Sequence, residues 1–132
     1  MMVMMQVPSR RTIQPDGLFD ARPYGFSQGL VVEGVLYVSG QVSRADGLAG
    51  QVAEAWASVL AVVEAAGGSP SSLAKITVFT LDEAAWSHLR PLIEATTAPD
   101  LPAATMVKVS GLANPELLVE IEAIAHLPRP TP

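Results

Sequence analysis

Residues 30–40, LVVEGVLYVSG, are two short β-branched runs around Glu33-Gly34, and neither run has a polar side. Val31, Val32, Val35, Leu36, Tyr37 and Val38 place apolar groups on both faces of a strand pair, and the two-residue connection favours a tight hairpin. A sheet built from such strands has to be covered on both faces. No other feature of the chain constrains its fold as strongly.

The covering elements are legible downstream. From about Leu48 to Ala66 the apolar spacing becomes helical, with Val52, Ala55, Trp56, Val59, Leu60, Val63 and Ala66 on one side and Gln51, Glu54 and Ser58 opposite. Gly67-Gly68 is placed to end this helix as a C-terminal cap. LAKITVFTL reads as a strand, and Asp82 is placed to cap a second helix with a seam of Trp86, Leu89 and Ile93. Pro91 inside that pattern removes a backbone donor and is expected to kink the helix. AATMVKVSGL and, after Asn114-Pro115, ELLVEIEAIAHL finish the chain as strands. In the last one, Leu117, Val119, Ile121, Ala123 and Ala125 form one face and Leu118, Glu120, Glu122, Ile124 and His126 the other. The order predicts a single α+β domain, a mixed sheet with two helices packed on one face and another copy of the chain against the other face.

At 132 residues and 13.8 kDa there is room for one core. The expected boundaries are a flexible N-terminus over 1–10, the domain over 11–127 and a tail over 128–132. Net charge is -5 with no basic cluster larger than Arg10-Arg11, so the footprint of a phosphate-backbone binder is missing and nucleic acid is not an expected partner. The absence of cysteine removes disulfides, thiolate metal sites and Cys nucleophiles. MMVMMQVPSRR has its charges after its apolar run and no small-residue cleavage site, and no other stretch approaches the roughly 20 apolar residues of a membrane span. A soluble, cytoplasmic protein with no membrane contact is expected.

Few residues can carry chemistry. Glu120 and Glu122, on one strand face, are either an acid–base pair with one raised pKa or ordinary solvated carboxylates; their neighbours Leu118 and Ile124 favour a cleft or subunit seam. His88 and His126 stand alone without metal-ligand spacing, so no metal is expected. Ser27 and Ser39 lack the nucleophile-elbow pattern and read as turn or cleft hydroxyls, Gly67-Gly68 is no phosphate loop, and Trp56 and Trp86 read as core.

YGFSQGLVVEGVLYVSGQVS, AAGGSPSSLAKITVF, LPAATMVKV and VEIEAIA together resemble the RidA/YjgF family, also labelled L-PSP endoribonucleases, over roughly Arg11 to Leu127. The resemblance implies a chorismate-mutase-like fold assembled as a homotrimer with clefts between subunits. It also implies hydrolysis of reactive enamines and imines to ammonia and a 2-oxo acid, without cofactor or metal. Carried over by residue, the family's glutamate falls on Glu120 and its Ser-Gly pair on Ser39 and Gly40. Its arginine falls in LPAAT on Ala104, beside Thr105, and its aromatic hydroxyl falls on Phe26, with Tyr24 two residues earlier. The position of its helix asparagine corresponds to Arg90. An alanine cannot grip a carboxylate, so the resemblance implies altered or reduced activity on small imino acids, with Arg90 supplying a guanidinium from another direction or lying exposed on its helix. The alternatives are a ligand-binding or sensing trimer without turnover, and an endoribonuclease, which conflicts with the acidic balance.

Overall fold

The structure is a computed structural model and describes residues 4–129. The outermost parts of the expected flexible N-terminus and C-terminal tail lie outside the described residues. Six strands form one sheet in the order β1-β2-β3-β6-β4-β5: β1 (Arg10–Ile13), β2 (Gly29–Val32), β3 (Val35–Gln41), β4 (Leu73–Thr80), β5 (Ala103–Lys108) and β6 (Val119–His126). Two helices, α1 (Gly47–Ala65) and α2 (Ala85–Thr97), pack on one face of it. All neighbours are antiparallel except β4 and β5, which α2 joins as a parallel crossover. The α+β, mixed-sheet expectation therefore holds for the chain.

The β2–β3 hairpin turns at Glu33 (φ 51°) and Gly34 (φ 78°). Both central residues are left-handed, as the tight turn that matches strand twist requires. α1 ends in the cap expected at Gly67-Gly68: Gly67 has φ 94°, its N–H donates to Glu64 O and the Gly68 N–H to Val63 O at 3.0 Å. β1 was not foreseen. Arg10 already belongs to it, opposite Val32, and Ser9 just before it exchanges a backbone hydrogen bond with Glu33.

Three helix details differ from the sequence reading. Gln51, placed on the polar side of α1, is 3% exposed. Its amide satisfies three backbone groups across the domain: Nε2 donates to Ala45 O and Glu116 O, and Oε1 accepts from Leu118 N at 2.8 Å. A buried polar side chain with a full set of partners is stable where period alone puts it outside. Asp82 accepts from the Ala84 N–H in the turn before α2, and the helix itself starts at Ala85 with no side-chain cap. Pro91 lies inside α2, where the sequence places it. Finally, Trp56 is core at 2% exposure, whereas Trp86 is only half-buried.

The core lies between sheet and helices, where Leu36, Val59, Ile76, Val78, Leu89 and Ile121 are fully buried. Each such side chain contributes about 1.5–3 kcal/mol relative to exposure. α1 is long and apolar enough to span a membrane by length and composition, but its buried side sits in this core, as a core helix does. The other sheet face has no cover among the described residues: Tyr37 is 48% exposed, and all six residues of the edge strand β5 are exposed.

Candidate functional site

β6 alternates as the sequence requires. Val119, Ile121, Ala123 and Ala125 are buried toward the helices, which turns Glu120 and Glu122 to the open face. Glu120 lies opposite Phe79 of β4 and Glu122 opposite Thr77. On the other side, β3 carries a bulge: Val38 faces Ala123 and Gln41 faces Ile121, so Ser39 and Gly40 together span one residue of β6. The extra residue lets both Val38 and Gln41 point to the core and bends the backbone at Gly40.

Glu120 occupies the room made there. A β-carbon built on Gly40 would stand 2.6 Å from Glu120 Cδ and 2.7 Å from Oε2, far inside contact distance. Glu120 is half-buried, and this burial, followed by the charge of Glu122, pushes its carboxyl above the ordinary glutamate value. Glu122 itself is exposed.

The two motifs FSQG and VSGQ are stitched together by polar groups. The Ser39 hydroxyl donates to Ser27 O at 2.6 Å, Gln41 Nε2 donates to Gln28 Oε1 at 2.7 Å, and Gln28 Nε2 donates to Phe19 O at 2.9 Å. Ser39 is thus a wall-building hydroxyl, with its proton committed, rather than a nucleophile. Beside it a cavity of about 510 Å³ opens on the uncovered face, lined by Arg10, Phe26, Leu30, Tyr37, Ser39 and Glu122 among others. Tyr24 does not line it and belongs to an exposed aromatic group: the Phe19 ring lies 5.2 Å from Tyr24 and 6.4 Å from Phe26.

The remaining expected site residues lie elsewhere. Thr105 is on the open face of β5, where its hydroxyl accepts from Lys75 Nζ at 2.6 Å. Ala104 pairs with the buried Ile76, so it looks to the helix side. There it lines a second cavity, of about 240 Å³, together with Trp86 and Arg90 of α2. Arg90 Nε donates to Glu94 Oε1 at 2.7 Å. Within one chain, Glu120 and Gly40 are brought together, and so are Arg90 and Ala104, but the two pairs stand on opposite faces of the sheet.

The sequence reading missed Arg10, Tyr37 and Trp86 as cavity-lining groups. Arg10 follows from the alternation of RRTI, in which Ile13 and Arg11 turn to the helix side and Arg10 and Thr12 to the open face; four residues are too few to announce a strand. Among the described residues, no group of three His, Asp or Glu side chains is gathered that could hold a metal ion.

A sequence model described as Endoribonuclease L-PSP matches residues 20–127. Among solved structures, a protein of unknown function from Pseudomonas aeruginosa is 32% identical, with TM-score 0.82 over 92% of this chain and 94% of that one. The YjgF gene product of Escherichia coli is 28% identical, with TM-score 0.76 over 88% and 98% of the two chains. A member of the YjgF/YER057c/UK114 family from Mycobacterium tuberculosis is 25% identical, with TM-score 0.78 over 90% and 100%.

Proposed function

The chain belongs to the endoribonuclease L-PSP family, which includes YjgF-type proteins, and on that premise we propose that it hydrolyses reactive imines or enamines at Glu120. The observation that carries this reading is the Glu120 carboxylate held half-buried against Gly40 on an uncovered sheet face. Burial, with the Glu122 charge second, raises its pKa and makes the ionised carboxylate a stronger proton acceptor than a solvated one. Water adds to the C=N carbon as Glu120 takes its proton. Glu120 returns that proton to the nitrogen to complete the carbinolamine, then passes the hydroxyl proton to the same nitrogen as the C–N bond breaks, leaving the carbonyl of a 2-oxo acid and ammonia. No cofactor or metal enters these steps.

The same reading includes a cytoplasmic homotrimer whose copies cover one another's open faces. Tyr37 and Val107, at 48% and 40% exposure, are apolar groups on that face of the kind that subunit contacts remove from water. RNA cleavage, which stands in the family's description, fits poorly with a net charge of -5 and with no basic run longer than Arg10-Arg11. One observation favours a second reading, a ligand-binding trimer without turnover: the alanine at 104 cannot supply the guanidinium that the resemblance places there.

The discriminating experiment generates small imino acids in place with an amino-acid oxidase and follows their decay. Slow decay with wild type, faster decay by roughly one to two decades with Ala104→Arg, whose guanidinium would serve the Glu120 of a neighbouring copy, and none above background with Glu120→Ala is the expected result. Binding of an imino-acid analogue without any acceleration, in wild type and Ala104→Arg alike, supports the second reading instead.

A further inference from the structure

We infer that Gln41 is the positioning residue of Glu120: its buried amide holds the β3 bulge in the shape that gives the carboxylate its place. The inference deepens the proposed reading by adding a residue to the same site, and rests on that reading only for the rate.

A bulge is a weak point in a sheet, because the extra residue interrupts the ladder. Ser39 and Gly40 are that interruption here, yet every polar group of Ser39 is held. Its N–H donates to Gln28 O at 2.9 Å, its hydroxyl donates to Ser27 O at 2.6 Å, and its carbonyl accepts from Gln41 Nε2 at 2.9 Å. The last bond fixes the peptide that leads into Gly40, and Gly40 is the residue against which the Glu120 carboxylate rests.

Gln41 is itself held from behind. It is 5% exposed, and Nε2 gives its second proton to Gln28 Oε1 at 2.7 Å. Gln28, 6% exposed, donates from its own Nε2 to Phe19 O at 2.9 Å. Both ends of this chain are backbone carbonyls, which only accept, so neither amide can flip without setting oxygen against oxygen. Phe19 O also accepts from Gln14 Nε2 at 3.1 Å, which ties it to the start of the same loop. The 14–28 loop, which carries Phe26 on the wall of the larger cavity, is thus joined to the support of Glu120 through two buried amides. Leucine would fill either position without needing partners, but it could not hold Ser39 O.

The test follows the titration of the Glu120 carboxyl by NMR on protein labelled at its glutamate carboxyl carbons, with Glu120→Gln identifying the resonance, alongside imine decay. Gln41→Leu keeps the volume and removes both donors. Its Glu120 is expected to titrate at lower pH than in wild type, closer to an ordinary glutamate, because a relaxed bulge lets the carboxylate reach water. Imine decay is expected to fall by about tenfold or more in kcat, with KM changed by less than about threefold. Gln28→Leu breaks the chain one link further out and is expected to move both readouts the same way by less. Val59→Ala truncates the core outside this chain of hydrogen bonds, and is expected to lower the melting temperature while leaving the Glu120 titration where it is. A Glu120 titration unmoved or raised in Gln41→Leu overturns the inference, and Gln28→Leu decides in the same way if Gln41→Leu does not fold. An equal shift in Val59→Ala also overturns it, since lost stability alone would then suffice. The two claims fail separately: a lowered titration in Gln41→Leu without imine decay in wild type fails the proposed function alone, and wild-type decay with a titration unmoved by Gln41→Leu fails this inference alone.

Discussion

The carboxylate of Glu120 rests against the backbone of Gly40, so closely that a β-carbon there would lie 2.7 Å from Oε2. Two residues 80 positions apart in the chain thus share one volume, created by the bulge in β3 and the alternation of β6.

Gly40→Ala is therefore expected to move the Glu120 carboxylate rather than to unfold the domain. The atoms in the way belong to the end of a flexible side chain, so the stability cost stays below about 1 kcal/mol. Misplacing a reacting group by about an ångström costs up to a hundredfold in rate. A fall in imine decay of tenfold or more with a melting temperature within a few degrees of wild type is the expected pair of results. Unchanged decay would show that the carboxylate position does not matter.

The raised pKa of Glu120 fixes the sign of a pH effect on stability. A carboxyl that holds its proton more tightly in the folded chain stabilises the fold below its unfolded value, near 4.5, and that contribution is lost as pH rises through the higher folded value. Burial of the charged form, with the nearby Glu122 charge second, is the cause. Glu120→Gln removes the ionisation, so the variant should melt above wild type near neutral pH, with the gap closing below 4.5. Parallel melting curves with a constant gap across this range would contradict the burial.

Gln51 ties α1 to the segment that leads into β6, through Glu116 O and Leu118 N, two residues before Glu120. Gln51→Leu keeps the volume but strands these backbone groups, at an expected cost of about 1–3 kcal/mol in denaturant unfolding. A change smaller than about 0.5 kcal/mol would show that water replaces the amide without loss.

How much of this was legible in the sequence depends on the length over which each signal repeats. The hairpin, both helices and the two faces of β6 follow from apolar period and turn residues over long stretches, and the structure has them where those signals fall. β1 is four residues long and offers no period to read. Gln51 is polar, so period puts it outside; only the three backbone partners, set by tertiary structure, explain its burial. The same holds for the site. Glu120, Ser39 and Gly40 were named from motif resemblance, but that Gly40 matters because it vacates space for Glu120 is a consequence of the bulge, and no local pattern encodes it. Likewise Trp86 sits on the seam side of α2, and only the small side chain across from it on β5 leaves it lining a cavity.

The most direct measurement is the decay of imines generated from leucine and phenylalanine, with wild type and Glu120→Gln compared at matched folded concentration. Wild type is expected to accelerate decay of at least one of them, and Glu120→Gln to lower that acceleration by at least about a hundredfold. Equal decay with the two proteins, or no acceleration of either imine by wild type, would contradict it.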